Sequence, residues 1–465
     1  MNMINVRRLA VMTFLGAGML SDISAQDFSL QADTLNEARL PAQWDLQSCI
    51  DYALEQNITI RKNRVTAEST QIDVKTAKAA LFPSLSFSTS QQVVNRPYQE
   101  TSSRVSGNEI ISSNSKTSYN GNYGLNASWT IYNGSKRLKT LKQERLNNQV
   151  AELDVATSEN TIKESIAQIY IQILYAAESV RVNENTLQVS IAQRDRGQEL
   201  LNAGSIAKSD FAQLEAQVST DRYQLVTAQA TLQDYKLQLK QLLELDGENE
   251  MNVYLPNLSD ENVLAPLPAK KDVYVSALAI RPEIEASKLN VEASELGIDI
   301  AKSSYFPTVS LSAGIGTNHT SGSDFTFGEQ VKNGWNNSIG LSVSVPIFNN
   351  RQTKSAVQKA RLQRETNMLS LLDEQKALYK TIESLWLDAN SAQQRYAAAN
   401  EKLRSTQISY DLISEQFNLG MKNTVELLTE KNNLLQAQQE QLQAKYMAIL
   451  NTQLLKFYQG DKLTL

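Results

Sequence analysis

Cysteine and histidine are almost missing from this chain: 465 residues contain one of each, Cys49 and His319. That rules out an internal disulfide framework, a cysteine-based zinc site and a multi-histidine metal centre. Cys49 falls at helical spacing between Leu46 and Ala53 and reads as a small buried hydrophobe. Proline (9) and glycine (18) are also scarce, which favours long uninterrupted helices over a loop-rich β protein or a disordered chain. Neither sign of charge dominates, with 45 Lys+Arg against 50 Asp+Glu and a net charge of −5, so nucleic acid is not an expected partner. No P-loop, dinucleotide fingerprint or nucleophile elbow occurs, and no catalytic residue, metal or cofactor is assigned. After the first 25 residues no run approaches about 18 consecutive apolar residues, the length of a membrane-spanning helix.

Those first 25 residues have the pattern of a secretory signal. Arg7 and Arg8 precede an apolar stretch from Leu9 to Leu20, and Ser24-Ala25 before Gln26 forms a cleavage site. No cysteine stands at that point to carry a lipid anchor. An exported chain with this composition is either soluble or crosses an outer membrane as β-strands.

What the sequence does have is an internal repeat. Ala77-Lys78-Ala79-Ala80-Leu81-Phe82-Pro83 recurs as Ala301-Lys302-Ser303-Ser304-Tyr305-Phe306-Pro307, offset by 224. Cys49–Ile60 resembles Val273–Ile284 at the same offset, so each copy opens with a short amphipathic helix. Trp129-Thr130-Ile131-Tyr132-Asn133 pairs with Val345-Pro346-Ile347-Phe348-Asn349, and Leu201-x-x-Gly204 with Phe417-x-x-Gly420, both offset by 216. The chain therefore reads as a signal at 1–25, a first copy at 26–268 and a second at 269–465. The proline-bearing segment Gly247–Lys271 joins the copies.

Each copy holds two segments that alternate apolar and polar residues, a β-strand pattern. They span 84–94 and 118–132 in the first copy, and 308–318 and 336–347 in the second. One face of the first pair carries Leu85, Phe87, Tyr119, Tyr123, Leu125, Trp129 and Ile131, and the other carries serine, asparagine and glycine. That length and an uncharged polar face suit outer-membrane strands facing lipid on one side and a water-filled lumen on the other. The competing reading is an ordinary half-buried sheet. The Ser/Asn-rich segments Asn95–Thr117 and Asn318–Gly334 read as exterior loops, with His319 as an exposed surface residue. Four strands cannot close a barrel, and an open edge in lipid costs several kcal/mol for each unsatisfied backbone group. Three copies of four strands would close as twelve.

The rest of each copy is helical. Lys136–Glu199 lacks proline and has only Gly197, and about 64 residues at 1.5 Å each would run roughly 95 Å. After Gly204, Phe211, Leu214, Val218, Asp221, Leu225, Ala228, Leu232, Tyr235, Leu239 and Leu242 alternate steps of three and four, with Asp221 the one polar interruption. Val425, Leu428, Leu435, Leu442, Tyr446 and Ile449 repeat the pattern less strictly. Stripes of this length need neighbouring helices to cover them.

The duplicated Phe-Pro before the first strand, the Ile-Tyr/Phe-Asn after the second and the paired glycine hairpins resemble the TolC-like outer-membrane efflux proteins, over about Trp44–Gly460. The resemblance implies a mainly α fold with membrane β: a homotrimer whose 12-stranded β-barrel, four strands per chain, continues into a long periplasmic α-helical barrel. It implies docking onto a periplasmic adaptor and an inner-membrane pump. The tips that meet the adaptor would be Leu201, Ala203, Gly204 and Ser205 on one hairpin, and Leu419, Gly420 and Met421 on the other. A gate is implied in which Asp210 bonds an arginine and a tyrosine of the opposite hairpin. Here Lys422 stands for the arginine and Phe417 for the tyrosine, which removes the bidentate fork and a hydroxyl. Two acidic rings of the family fall on Glu426 and Thr429, so one is kept. The function expected is a passive exit duct of a tripartite efflux system for small molecules. A type I protein-secretion channel has the same architecture. A periplasmic coiled-coil adaptor is the alternative of another class, and the four strands and the duplication argue against it.

Overall fold

The computed structural model describes residues 41–98, 102–106, 109–113, 116–246, 251–256, 263–321, 323 and 325–464. The signal at 1–25 lies outside them. Two compact units are present. The described part of the smaller is a parallel bridge between Trp44 and Val253, closed by Trp44 N–H to Asn252 O and Tyr254 N–H to Trp44 O, both 2.8 Å. All else described below belongs to the larger unit.

Its elements repeat with the sequence. The first copy runs α1 (Leu46–Gln56), α2 (Ile58–Ala79), β1 (Ser84–Asn95), β2 (Ser102–Ser106), β3 (Glu109–Ser113), β4 (Thr117–Asn133), α3 (Lys136–Asn202) and α4 (Lys208–Leu242). The second runs α5 (Lys270–Ile280), α6 (Pro282–Ser303), β5 (Thr308–Thr320), α7 (Phe327–Asn333), β6 (Asn336–Ser344), α8 (Gln352–Asn418) and α9 (Thr424–Gln459). The bounds of α1 and α2 correspond to those of α5 and α6 at offset 224, and the 67-residue helices α3 and α8 match end to end at offset 216. The difference between the offsets falls in the connection between the paired strands. There the first copy carries the hairpin β2–β3 and the second the short helix α7. Both segments were expected to be loops. α7 exists because Thr326 and Glu329 form a complete capping box ahead of it.

β1, β4, β5 and β6 form one antiparallel sheet in the order β1-β4-β5-β6. The register aligns the two faces across all four strands. One row reads Ser86, Asn126, Gly314, Ser338 and the next Phe87, Leu125, Ile315, Asn337. The small polar rows contain no charged side chain between Ser84 and Ser90, while Leu85, Phe87, Ile339 and Leu341 stand exposed on the apolar face.

Four details differ from the sequence expectation. A bulge at Ile131 leaves that residue without a partner and sets Tyr132 opposite Val309, so Tyr132 takes the apolar-face position assigned to Ile131. β6 stops at Ser344 instead of 347, opposite Thr308, where its partner β5 begins; Pro307 and Pro346 just beyond offer no N–H to lengthen the ladder. β1, β4 and β5 extend slightly beyond their expected ends. His319 is part of β5 and is only partly exposed: its ring lies 5.1 Å from Tyr119, 5.9 Å from Tyr123 and 5.0 Å from Phe327, over the bare Cα of Gly121.

Each copy turns from strand to helix the same way. Gly134-Ser135 and Asn350-Arg351 all have positive φ. At Gly134 a Cβ would meet the carbonyl oxygen of Ser303 at 2.6 Å, so the glycine permits a backbone approach as well as the turn. α2, α3, α6 and α8 pack side by side in that order, and α3–α4 and α8–α9 form long antiparallel hairpins. The short helices seat the base of each copy. Cys49, Ala53 and Ile60 are wholly buried, as are their equivalents Val273, Ala277 and Ile284, the latter packed with Leu378, Ile382 and Leu455. Arg281, at the α5–α6 junction, is also buried. It bonds Glu164 at 2.7 Å and lies 3.6 Å from the ring centroid of Tyr458.

Candidate functional site

Both hairpins turn by the same motif. Ahead of α4, Gly204 N–H bonds Leu201 O (2.9 Å) and Ser205 N–H bonds Leu200 O (2.8 Å); ahead of α9, Gly420 N–H bonds Phe417 O (2.9 Å) and Met421 N–H bonds Gln416 O (2.8 Å). These are Schellman pairs, which need a left-handed residue at the turn; Gly204 (φ +72°) and Gly420 (φ +75°) supply it. A Cβ at either would touch nothing within 4 Å, so the constraint there is backbone conformation alone. Around the turns Ala203, Gly204, Ser205, Leu419 and Met421 are exposed and Leu201 is half-buried. These two tips are the most prominent shared feature at the end of the hairpins away from the sheet.

The return helices start with equivalent caps. In α9, Asn423 and Glu426 form a complete capping box, with Glu426 N–H to Asn423 Oδ1 at 2.9 Å and Asn423 N–H to the Glu426 carboxylate at 3.3 Å. In α4 the same positions are Ala207 and Asp210, and alanine has no side-chain oxygen. Only the reverse bond remains, Ala207 N–H to Asp210 at 3.4 Å. Asp210 and Glu426 are thus the same position of the repeat.

Within one chain Asp210, Lys422 and Phe417 each have other partners. Asp210 caps its own helix, and Lys422 bonds Glu426 at 2.6 Å. Phe417 is buried against Leu214 and Leu427. Thr429 is exposed and returns its hydroxyl to Val425 O at 2.8 Å. The Lys422 ammonium, helped by Asn423 N–H, holds the Glu426 carboxyl below the usual carboxylate range. Gly197 also gains a role: a Cβ there would strike Leu214 at 2.3 Å, so the missing side chain lets the two arms of the hairpin close on each other.

Farther from the tips the hairpins are joined by a buried polar cluster. Ser190 of α3, Asp221 of α4 and Lys431 of α9 bond one another, with the Lys431 and Asp221 side chains 3% and 1% exposed. Gln217 adds a bond to Asp221 at 2.9 Å. Burial pushes the Lys431 ammonium pKa down, and its bond to Asp221 opposes that shift. Sequence reasoning marked Asp221 as the interruption in the α4 stripe but missed Lys431. The buried stripe of α9 near the tip runs through Thr424, Leu427, Lys431 and Leu434, whereas Val425, taken as its start, is exposed. A lysine in a core position reads as a break in the pattern. The signal that could have found it is the unpaired acid on the neighbouring helix.

No helix among the described residues is long and apolar enough to cross a membrane, and no group of His, Cys, Asp and Glu among them could hold a metal.

The chain is 24% identical to the outer membrane efflux protein BepC of Brucella suis over 63% of its length and 24% identical to the outer membrane protein TolC of Escherichia coli over 70%. These matches span 61% and 66% of the two relatives, respectively. Its fold is similar to a crystal structure of CusC, with a TM-score of 0.76 at 19% identity, covering 90% of this chain and 92% of that one. The sequence model described as outer membrane efflux protein matches residues 49–244 and 273–460, one match to each copy of the repeat, and the chain belongs to that family of outer-membrane channels.

Proposed function

We propose that three copies of this chain assemble into a passive exit duct, which takes small molecules handed over by a periplasmic adaptor and an inner-membrane pump and releases them outside. The observation that carries the reading is that the sheet ends on two unpaired edges, β1 and β6. Backbone groups on such edges cannot stay unpaired in lipid. β1 and β6 run in opposite directions, so β6 of one copy can continue β1 of the next in the same antiparallel pattern, and three copies close at twelve strands. The helices support the same closure. α2 exposes Ile58, Val65 and Ile72 at seven-residue spacing, and α8, at the other side of the helical layer, exposes Leu362 and Leu369. Each stripe needs a partner, and the neighbouring copy provides it.

In the duct the exposed tips at Leu201, Ala203, Gly204, Ser205, Leu419, Gly420 and Met421 meet the adaptor. Asp210, Phe417, Lys422, Glu426 and Thr429 surround the aperture. Glu426 contributes one carboxylate per copy and favours cations there. The energy comes from the pump, and the chain performs no catalysis.

Native mass of the mature protein in detergent, corrected for bound detergent, tests the reading. A trimer of roughly 150 kDa is expected from the ring-closure argument. A monomer that stays soluble without detergent would overturn it.

A further inference from the structure

The helices next to the strands carry positive charge that the duct reading leaves unused. α3 opens Lys136-Arg137-Leu138-Lys139, and neither α3 nor α8 has an acidic residue in its first turn, although the helix dipole favours one there. Part of this charge lines a cleft of about 530 Å³ between the end of α6 and the start of α8, bounded by Lys302, Lys354 and Arg361 together with Tyr305 and Phe306. No carboxylate lines it. Lys302 shares its charge with Asp299 at 3.0 Å. Lys354 and Arg361 have no ion-pair partner among the described residues. Tyr305 and Phe306 are half exposed, and β5 begins two residues after Phe306. The aromatic pair therefore lies where the sheet leaves the membrane, with the cations on its periplasmic side.

We infer that this cleft binds the headgroup of an anionic phospholipid from the periplasmic leaflet of the outer membrane. Its phosphate sits among Lys302, Lys354 and Arg361, and its upper acyl chains lie against Tyr305 and Phe306. The chemistry fits at each point. A guanidinium fork matches phosphate oxygens, and ammonium groups add point charge. The amphipathic ring of Tyr305 suits the level of the headgroups, and the apolar ring of Phe306 suits the acyl chains below them. Charge complementarity selects an anionic lipid over a zwitterionic one, with about five-fold in partition for each cation near an anionic surface. The inference rests on the strands crossing the membrane.

The test is native mass spectrometry of the full mature protein released from nanodiscs containing equal phosphatidylglycerol and phosphatidylcholine with identical chains. Phosphatidylglycerol should be enriched several-fold among the retained lipids, and high salt should reduce the enrichment. The variant K302Q/K354Q/R361Q should retain lipid at the bulk ratio, while K271Q/K376Q/K380Q, with as many charges removed elsewhere, should keep the enrichment. The oligomeric mass is read from the same spectrum, so loss of assembly is distinguished from loss of lipid preference. Should the triple variant not assemble, R361Q and K354Q singly should each lower the enrichment part of the way towards the bulk ratio. A bulk lipid ratio for the unaltered protein would overturn the inference, as would enrichment that survives neutralisation of the cleft or is lost equally in the control variant.

Discussion

Lys431 and Asp221 form an ion pair closed off from solvent between the two hairpins of one chain, with Ser190 completing the contact. Neither charge has water to fall back on, so each depends on the other. Removing one partner of such a pair costs about 3–5 kcal/mol, whereas replacing both with apolar residues of similar size is often neutral. Lys431→Met or Asp221→Leu alone should therefore lower the thermal midpoint of the purified protein markedly, and the double variant should recover most of the loss. Equal destabilisation by the double variant would show that the pair is not coupled in this way.

Glu426 gives a pH-dependent contribution at the tip. Its folded pKa is depressed by Lys422 and Asn423, so its contribution is present above the unfolded value of 4.5 and is lost as the pH falls through the lower folded value. Amide protection at the start of α9 should fall over that acidic window in the native protein and be flat in Glu426→Gln. In planar bilayers the same variant should reduce cation over anion preference. An unchanged preference would remove Glu426 from the aperture.

The glycines should separate into two classes. Gly204→Ala and Gly420→Ala meet only the left-handed backbone cost, about 1–2 kcal/mol. Gly134→Ala adds a clash with the Ser303 carbonyl and should be worse than either. The yield of heat-resistant oligomer would rank them.

Adjacent residues of β6 test which face meets lipid. Leu341→Arg places a charge on the apolar face, at a cost of about 2–4 kcal/mol near the membrane centre, and should impair assembly. Ser342→Arg, one position along on the polar face, should assemble normally and alter conductance. The reverse outcome in an outer-membrane assembly assay would invert the assignment of faces.

Much of the architecture was legible from local pattern. The 224 and 216 offsets placed both short helices, both strand pairs and both glycine turns, because a duplicated unit states each boundary twice. Where the copies diverge that support fails: the β2–β3 hairpin and α7 occupy the connection that differs in length, and both were read as loops. Pro346 was visible, yet the end of β6 is set by where its partner β5 begins, at Thr308 opposite Ser344. His319 was placed by proximity to a polar segment, but the register with Gly121 decides its position. At the tips, Asp210 and Lys422 were paired across the hairpins by resemblance, while each makes a nearer bond within its own turn.

The sequence by itself determined the duplicated order of helices and strands and the two-faced sheet, since periodicity acts over a few residues. Only the tertiary structure decided that Lys431 answers Asp221, that Phe417 packs against Leu214 and Leu427, and that Lys302, Lys354 and Arg361 share one cleft. Those relations join residues from separate helices, and the energy of a buried charge or a shared anion site depends on distance in space, which no spacing along the chain encodes.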